Sequence, residues 1–174
     1  MTTIVAVQRE DAVVLCGDGQ VSLGNNVMKS SARKVRRIHD GTVVCGFAGS
    51  TSDALTLFEK LEAKLGEYSG NLLRASVELA KEWRSDKYLR RLEAILIAAD
   101  SKRLLMISGN GDVIEPDEGL AAIGSGGFFA LSAARALRRH TEMSAVEIAQ
   151  TALGIAAEVC VFTNDELTTE EIRS

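Results

Sequence analysis

Short apolar, β-branched runs alternate with polar turns over the first third of the chain. Four such runs are predicted as strands, at residues 3–7, 12–16, 32–38 and 42–48. The polar residues 8–11 suit a hairpin turn between the first two, and glycines at 17 and 19 end the second. Asp40 and Gly41 form another turn signal. The pattern therefore predicts an antiparallel sheet.

Apolar residues spaced three and four positions apart predict two helices after residue 50. The apolar positions of the first helix are Ala54, Leu57, Phe58, Leu61 and Leu65. Ser50, Thr51 or Ser52 is available as its N-cap. The residues of the second helix expected to face the core are Leu73, Val77, Ala80 and Trp83. Together the two helices can cover one face of the sheet.

The second half of the chain repeats this order of strands followed by helices. Strands are predicted at 92–99, 104–108, 113–114 and 120–123. A helix should follow with Ala130, Ala133, Ala134 and Leu137 inward. Ser144 and Glu147 form a capping box for a last helix that uses Ile148, Ala152, Ile155 and Val159, before a short tail strand. We expect an α+β fold with two sheets between two helical layers.

Composition and charge narrow the function classes. The chain has 174 residues, 46% of them hydrophobic, which is enough to bury one core, and we expect a single domain over residues 1–174. Its net charge of −4 argues against a nucleic-acid or anionic-membrane binder. Its apolar runs are too short to span a bilayer, and its first residues lack a secretory signal. We therefore expect a cytoplasmic protein.

Cysteine and histidine offer little support for a metal site or for common nucleophilic mechanisms. The three cysteines, Cys16, Cys45 and Cys160, have no CxxC spacing and are expected to be buried thiols. The two histidines, His39 and His140, are isolated in sequence and expected at the surface. The sequence thus offers no obvious ligand set for zinc and no obvious residues for a Ser-His-Asp or Cys-His mechanism.

A hydroxyl nucleophile with another base is the next candidate, and Thr2 could supply both groups. Removal of Met1 would give Thr2 a free α-amine, with a reference pKa of about 7.7–8.0, able to accept the proton of its own hydroxyl. For an arbitrary protein, a frayed strand start is the simpler interpretation of this position. Here an apolar strand follows directly, Asp18 lies between two glycines at a strand end, and Lys34 lies in a basic run.

Several motifs in fixed order resemble one family along essentially the whole chain. They are TTIV at 2–5, GDGQ at 17–20, KVRR at 34–37, GFAG at 46–49, GNGDV at 109–113, IGSGG at 123–127, AARAL at 133–137 and CVFTN at 160–164. Together they resemble the HslV family, the peptidase subunits of bacterial ATP-dependent HslUV proteases and relatives of proteasome β subunits. Each motif is weak alone, whereas their order and spacing are specific.

The resemblance implies a fold and a set of catalytic roles. The fold is the four-layer αββα sandwich of N-terminal nucleophile hydrolases. Thr2 is implied as the nucleophile after removal of Met1, with Lys34 beside it and Asp18 orienting that lysine. The backbone N–H of Gly46 matches the oxyanion donor, and Ser125 matches a hydroxyl near the threonine amine. The activity implied is that of a threonine endopeptidase.

The resemblance also implies partners and a bound ion. Carbonyls at Ala157, Cys160 and Thr163 match the family's site for a monovalent cation, usually sodium, although the family commonly has glycine where this chain has Ala157. No organic cofactor is expected. ATP would be used by a separate HslU ring that supplies unfolded proteins and activates the peptidase allosterically. The implied assembly is a homo-oligomer of two stacked hexameric rings, a dodecamer, with no nucleic-acid or membrane partner.

Two other functions remain open at this level. A non-catalytic member of the same fold could serve as a scaffold, which an unprocessed Met1 would favour because a blocked threonine lacks its base. Alternatively, the glycine-rich segment 124–127 before a helix could bind a small anion. That motif is short, and no P-loop lysine follows it.

Overall fold

Two antiparallel sheets stack face to face in the computed structural model, which describes residues 2–89 and 94–174. The first sheet has the strand order β10-β1-β2-β11. Its strands are β1 (Thr3–Arg9), β2 (Ala12–Gly17), β10 (Leu120–Gly124) and β11 (Thr168–Arg173). The second sheet consists, in spatial and chain order, of β5 (Val35–Ile38), β6 (Val43–Ala48), β7 (Ile95–Ala99), β8 (Leu104–Ser108) and β9 (Val113–Ile114).

Two helices cover the outer face of each sheet. Helices α1 (Thr51–Glu67) and α2 (Leu72–Ser85) pack on the second sheet, and α3 (Gly127–His140) and α4 (Ala145–Val159) pack on the first. The order helix, sheet, sheet, helix confirms the predicted four-layer α+β fold. No helix in the two described ranges is long and apolar enough to cross a membrane.

Strand β1 explains why the chain begins with an almost unbroken apolar run. Side chains of successive strand residues point to opposite faces of a sheet. Ile4 and Ala6 pack between the sheets, whereas Val5 and Val7 pack under α3 and α4. All four are fully buried, so both faces of this strand require apolar residues.

Both predicted helix caps form. Ser50 is the N-cap of α1, and its side chain accepts a hydrogen bond from the Asp53 N–H at 3.3 Å. At the start of α4, Glu147 N–H donates to Ser144 Oγ at 3.3 Å and Ser144 N–H donates to Glu147 Oε2 at 2.8 Å. The predicted capping box is therefore confirmed.

The predicted inward faces of α2 and α4 are partly wrong. Leu73 is exposed, because Leu72 occupies the buried face together with Ala75, Ser76, Leu79, Ala80 and Trp83. Ile155 and Val159 are also exposed, and α4 instead buries Ala145, Ile148, Ala149, Ala152, Leu153 and Ala156. An alanine-rich face allows α4 to approach α3 closely, and this face is difficult to recognise from hydrophobicity alone.

Two strands begin three residues later than predicted, and several other strand bounds shift by one or two residues. The strand predicted at 32–38 begins at Val35, and the one predicted at 92–99 begins at Ile95, with residues 92 and 93 outside the described ranges. A hairpin of β3 (Val21–Leu23) and β4 (Asn26–Lys29) was not predicted. Its apolar side chains are mostly exposed, so no alternating buried pattern marks it in the sequence.

The cysteines and histidines lie where the sequence predicts. All three cysteines are buried and free. Burial raises the pKa of the Cys16 thiol to about 11 and raises the pKa of Cys45 as well, which keeps both thiols protonated and unreactive. His39 is partly buried and His140 is exposed.

A pair of glycine substitutions tests the junction between β1 and β10. Gly124 has a φ of +90°, and a Cβ there would lie 1.7 Å from the Thr2 carbonyl oxygen. Gly66 is exposed in α1, with open space around its Cα. We expect G124A to lower the free energy of unfolding by about 2 kcal/mol or more. G66A should instead raise it by about 0.5–1 kcal/mol. Urea denaturation would measure both, and an unchanged midpoint for G124A would contradict the described junction.

Candidate active site

Thr2 is held firmly at the start of β1. It is only 5% exposed, and its carbonyl oxygen accepts hydrogen bonds from Ser125 N–H at 2.9 Å and from Ser125 Oγ at 3.4 Å. Its neighbour Thr3 pairs in register with Gly124 of β10. Thr2 is therefore an ordered residue, in contrast to the frayed strand start considered from the sequence.

The Asp18 carboxylate is fully buried just after β2 and has donors on both oxygens. Oδ1 accepts hydrogen bonds from Thr3 N–H at 2.9 Å and from Lys34 Nζ at 2.7 Å. Oδ2 accepts from Gln20 N–H at 3.0 Å and from Asn164 N–H at 3.4 Å. A buried carboxylate needs this many donors to remain charged. The structure thus brings Asp18 and Lys34 together as the sequence predicts.

Lys34 lies directly before β5 and is 5% exposed. Its Nζ donates to Gln20 O at 2.5 Å in addition to Asp18. Burial lowers the pKa of Lys34, because the charged ammonium loses water, while the hydrogen bond and the charge of Asp18 oppose that shift. The result is an ammonium fixed in direction beside the first residues of β1.

Gly46 lies within β6, between Val35 of β5 and Ile97 of β7. A Cβ at this position would lie 2.7 Å from Ile4 Cδ1 and 3.3 Å from the Lys34 carbonyl oxygen. A larger residue there must displace the end of the Ile4 side chain and crowd the Lys34 carbonyl oxygen. The sequence-predicted residues Thr2, Asp18, Lys34, Gly46 and Ser125 therefore lie on adjoining segments around the start of β1.

A cavity of about 310 Å³ opens at Thr2 and Lys34. Its walls combine apolar side chains from β6 and α1 with basic residues at 29, 33 and 36, and the unpredicted β3–β4 hairpin supplies one side. The lining residues are Thr2, Val21, Lys29, Ala32, Arg33, Lys34, Arg36, Phe47, Gly49, Ala54, Leu55 and Phe58. A side chain of an extended polypeptide could enter this space beside Thr2.

A second polar contact beneath Thr2 was not predicted from the sequence. The buried side chains of Thr3 and Thr163 approach to 2.7 Å between their Oγ1 atoms, and Thr3 Oγ1 also accepts a hydrogen bond from Gly126 N–H at 2.9 Å. A Cβ on Gly126 would lie 2.6 Å from Thr3 Oγ1 and 2.7 Å from Thr163 Oγ1. This contact joins the loop after α4 to β1. In the sequence, this contact is indicated only by the small residues at 125–127, which leave space for the two threonine side chains.

The three residues predicted to bind a cation lie at the end of α4 and in the loop after it. Ala157 is in the last turn of the helix, so its backbone is right-handed and the change from glycine costs no strain there. Cys160 is the C-cap, and its carbonyl accepts a hydrogen bond from Thr163 N–H at 3.0 Å. Carbonyls of a last helical turn lack partners within the helix and carry partial negative charge. These residues therefore suit a small cation bound by main-chain oxygens.

Side-chain metal ligands do not cluster in the described ranges. No group of three or more His, Cys, Asp or Glu side chains there could hold a metal ion. Separately, the last turn of α4 has no basic residue to compete with a cation for its main-chain carbonyl oxygens.

Comparison with known proteins agrees with this geometry. A family model described as proteasome subunit matches residues 1–172. The crystal structure of eukaryotic HslV from Trypanosoma brucei matches with a TM-score of 0.94 and 53% sequence identity, covering 99% of this chain and 100% of that chain. The resemblance to HslV proteins inferred from the motifs is confirmed.

More distant structures share the fold. Thiobacillus denitrificans BPH, in a structure in complex with epoxomicin, matches with a TM-score of 0.76 at 19% identity, covering 99% of this chain and 98% of that chain. A second structure of BPH matches with a TM-score of 0.75, again at 19% identity and the same coverage. At this identity the likeness concerns the fold alone. The chain belongs to the proteasome subunit family and has its N-terminal nucleophile hydrolase fold.

Proposed function

We propose that this protein is an N-terminal threonine endopeptidase in which Thr2 supplies both nucleophile and base. The observation that carries the proposal is the buried Asp18–Lys34 pair, joined at 2.7 Å, beside an ordered Thr2 at the mouth of a cavity. A buried ion pair next to a hydroxyl residue in a cleft is a typical arrangement of a catalytic centre.

The reaction begins with a hydroxyl whose proton needs an acceptor. Removal of Met1 exposes the Thr2 α-amine, whose ordinary pKa of about 7.7–8.0 allows it to be unprotonated near neutral pH. The amine accepts the Thr2 Oγ1 proton, directly or through water, as Oγ1 attacks a peptide carbonyl carbon. The Lys34 charge disfavours protonation of nearby groups. Met1 itself lies outside the described residues.

The attack forms a tetrahedral intermediate with a negatively charged oxygen, and two further steps complete the reaction. The Gly46 N–H donates to the oxyanion, a contribution typically worth about 10²–10³-fold in rate. The amine returns its proton to the leaving nitrogen, the carbon–nitrogen bond breaks, and an ester on Thr2 remains. In the second step the amine accepts a proton from water as the water oxygen attacks the ester carbon, the bond from that carbon to Thr2 Oγ1 breaks, Oγ1 regains a proton, and the carboxylic acid product leaves. The Ser125 hydroxyl, within reach of the Thr2 carbonyl, helps to orient the residue and its amine.

Assembly and substrate delivery form the second level of the proposal. We propose two stacked hexameric rings of this chain in the cytoplasm, supplied with unfolded proteins by an HslU-type ATPase ring that also activates the peptidase. Large apolar residues exposed on one chain, including Phe128 at 84% and Val161 at 79%, support burial against further subunits. The 53% sequence identity with eukaryotic HslV from Trypanosoma brucei supports a ring-forming oligomer.

We also propose a monovalent cation, Na⁺ by preference, at the carbonyls of Ala157, Cys160 and Thr163. The ion would supply positive charge at the C-terminal end of α4, which has no basic residue in its last turn. It would fix the loop that carries Thr163, and so support the contact between Thr163 and Thr3.

The anion-binding alternative finds less support in the geometry. An anion at residues 124–127 would need free backbone N–H groups at the start of α3. Ser125 N–H already donates to Thr2 O at 2.9 Å, and Gly126 N–H already donates to Thr3 Oγ1 at 2.9 Å. These donors are used to hold the start of β1, which favours the peptidase.

Substitution of Thr2 tests the nucleophile. We expect T2A to abolish cleavage of casein and of fluorogenic peptides in the presence of the partner ATPase, because no hydroxyl remains to attack. T2S should retain measurable activity, since serine keeps both the hydroxyl and the amine. Intact mass spectrometry of each protein would establish whether Met1 is removed. Wild-type rates in T2A would refute the mechanism, whereas a retained Met1 in an inactive wild type would favour the scaffold alternative.

Removal of the Lys34 charge tests the ion pair. K34A leaves the Asp18 carboxylate buried without its cation, so we expect a loss of about 3–5 kcal/mol in the free energy of unfolding and loss of peptidase activity. Lys102 is exposed between β7 and β8, and K102A should change neither property. Denaturation curves and peptide cleavage would be measured on both. Equal behaviour of the two variants would contradict the role of Lys34.

Exchange of the salt cation tests the carbonyl site. Replacing choline chloride by sodium chloride at constant ionic strength should raise Tm, because an ion that binds only the folded state stabilises it. The free energy of unfolding should rise by about 1.4 kcal/mol when the sodium concentration is ten times the Kd of the site. An A157G variant should respond in the same way, since the proposed ligand is the main-chain oxygen. A Tm that is independent of the cation would exclude the site.

A further inference from the structure

Asn164 lies in the loop after α4 and forms three hydrogen bonds with segments near the ion pair. Its side-chain Oδ1 accepts from Gly19 N–H at 2.9 Å, and its Nδ2 donates to Ser30 O at 2.8 Å. Its main-chain N–H donates to Asp18 Oδ2 at 3.4 Å. The residue is half-buried and is more than 130 positions away in sequence from every one of these partners.

The two side-chain bonds connect the segments that carry the ion pair. Gly19 directly follows Asp18, and Ser30 lies shortly before Lys34. These segments already touch, because Ala32 N–H donates to Gly19 O at 2.9 Å and a Cβ on Gly19 would lie 2.2 Å from Ser30 O. The Asn164 amide spans this junction from a third segment.

The contacts require one donor and one acceptor on the same side chain. The amide of asparagine supplies both, whereas an ionised aspartate only accepts. Aspartate at 164 would direct a carboxylate oxygen at the Ser30 carbonyl and add a second negative charge near Asp18. Alanine would remove both links and leave the main-chain N–H in place.

We propose that Asn164 is a positioning residue that fixes the Asp18 turn relative to Lys34. It touches no reacting atom and acts through the direction of the Lys34 ammonium beside Thr2. The inference rests on the proposed peptidase function. A small displacement of a preorganised group can lower the rate about 10²-fold. Loss of the Asn164 side-chain hydrogen bonds can therefore affect the rate measurably.

Gln20, within the same turn, also binds the loop after α4. Its Nε2 donates to Val161 O at 2.9 Å, in the loop that carries Asn164, while its main-chain oxygen accepts from Lys34 Nζ at 2.5 Å. The loop after α4 therefore holds the Asp18–Gln20 turn through three hydrogen bonds, which involve Asn164 and Val161. Of these, only the Asn164 side chain also reaches the Lys34 segment.

The test compares N164A and N164D with a matched amide elsewhere. Gln150 on α4 also links two elements through its side chain, donating from Nε2 to Thr169 Oγ1 at 3.2 Å in β11. For N164A we expect kcat to fall about 10-fold or more, with KM within about twofold of wild type. N164D should fall further and shift the acid limb of the pH profile to higher pH, because the added negative charge favours the protonated amine. Q150A should match wild type.

Each outcome decides the proposal. An unchanged kcat in N164A would overturn it. Lower Tm in both variants, with wild-type kcat per folded enzyme and a wild-type pH profile, would reduce Asn164 to a structural role and also overturn it.

T2A measured in parallel separates a failure of this inference from a failure of the peptidase mechanism. If T2A keeps its activity, the peptidase mechanism is wrong. A crystal structure of N164A then tests whether Asn164 positions Asp18 relative to Lys34. That structure should have the Lys34 Nζ–Asp18 Oδ1 distance lengthened from 2.7 Å, and retention of this distance would refute the proposal.

Discussion

The buried contact between Asp18 and Lys34 is the constraint on which the surrounding structure depends. Two charges removed from water are costly unless every remaining polar site on them is satisfied. Here the Thr3 and Gln20 main chains supply the donors and acceptors at 2.5–3.0 Å. Thr3 begins β1 and Gln20 directly precedes β3, while Asp18 follows β2 and Lys34 directly precedes β5, so satisfying the charges also fixes these strand ends relative to one another. The close approach of Gly46 to Ile4 and Lys34 O then brings the second sheet against this point.

Much of this architecture follows from local patterns in the sequence. The apolar residues of β1 face two buried layers, and α1 presents a regular spacing from Ala54 to Leu65, so both elements are recognisable without a structure. Thr2 is recognisable because a hydroxyl residue stands directly before an apolar strand, and Asp18 because it lies between two glycines at a strand end, whereas Lys34 lies inside the strand predicted at 32–38. The motif resemblance supplies the catalytic roles of Asp18, Lys34, Gly46 and Ser125.

The missed features have three separate physical causes. The bond from Gly19 N–H to Asn164 joins residues 145 positions apart, and the contact between Thr3 and Thr163 joins residues 160 positions apart. Local propensity carries no information on such pairs. The apolar residues of the β3–β4 hairpin are mostly exposed, so its sequence lacks the alternating apolar pattern of a half-buried strand. On α4, small alanines form the buried face while larger Ile155 and Val159 point outward, which reverses the usual inference from side-chain size.

The anchoring of Thr2 through its carbonyl has a consequence for maturation. Ser125 donates twice to that oxygen, and the strand pairing of Thr3 with Gly124 adds a further attachment; none of these contacts involves the Thr2 nitrogen. A chain with its nitrogen blocked and a chain with it free can therefore adopt the same fold. Activation in the proposed mechanism then requires only cleavage of the peptide bond between Met1 and Thr2, with no refolding. A chain that still carries Met1 could therefore fold completely while it is inactive.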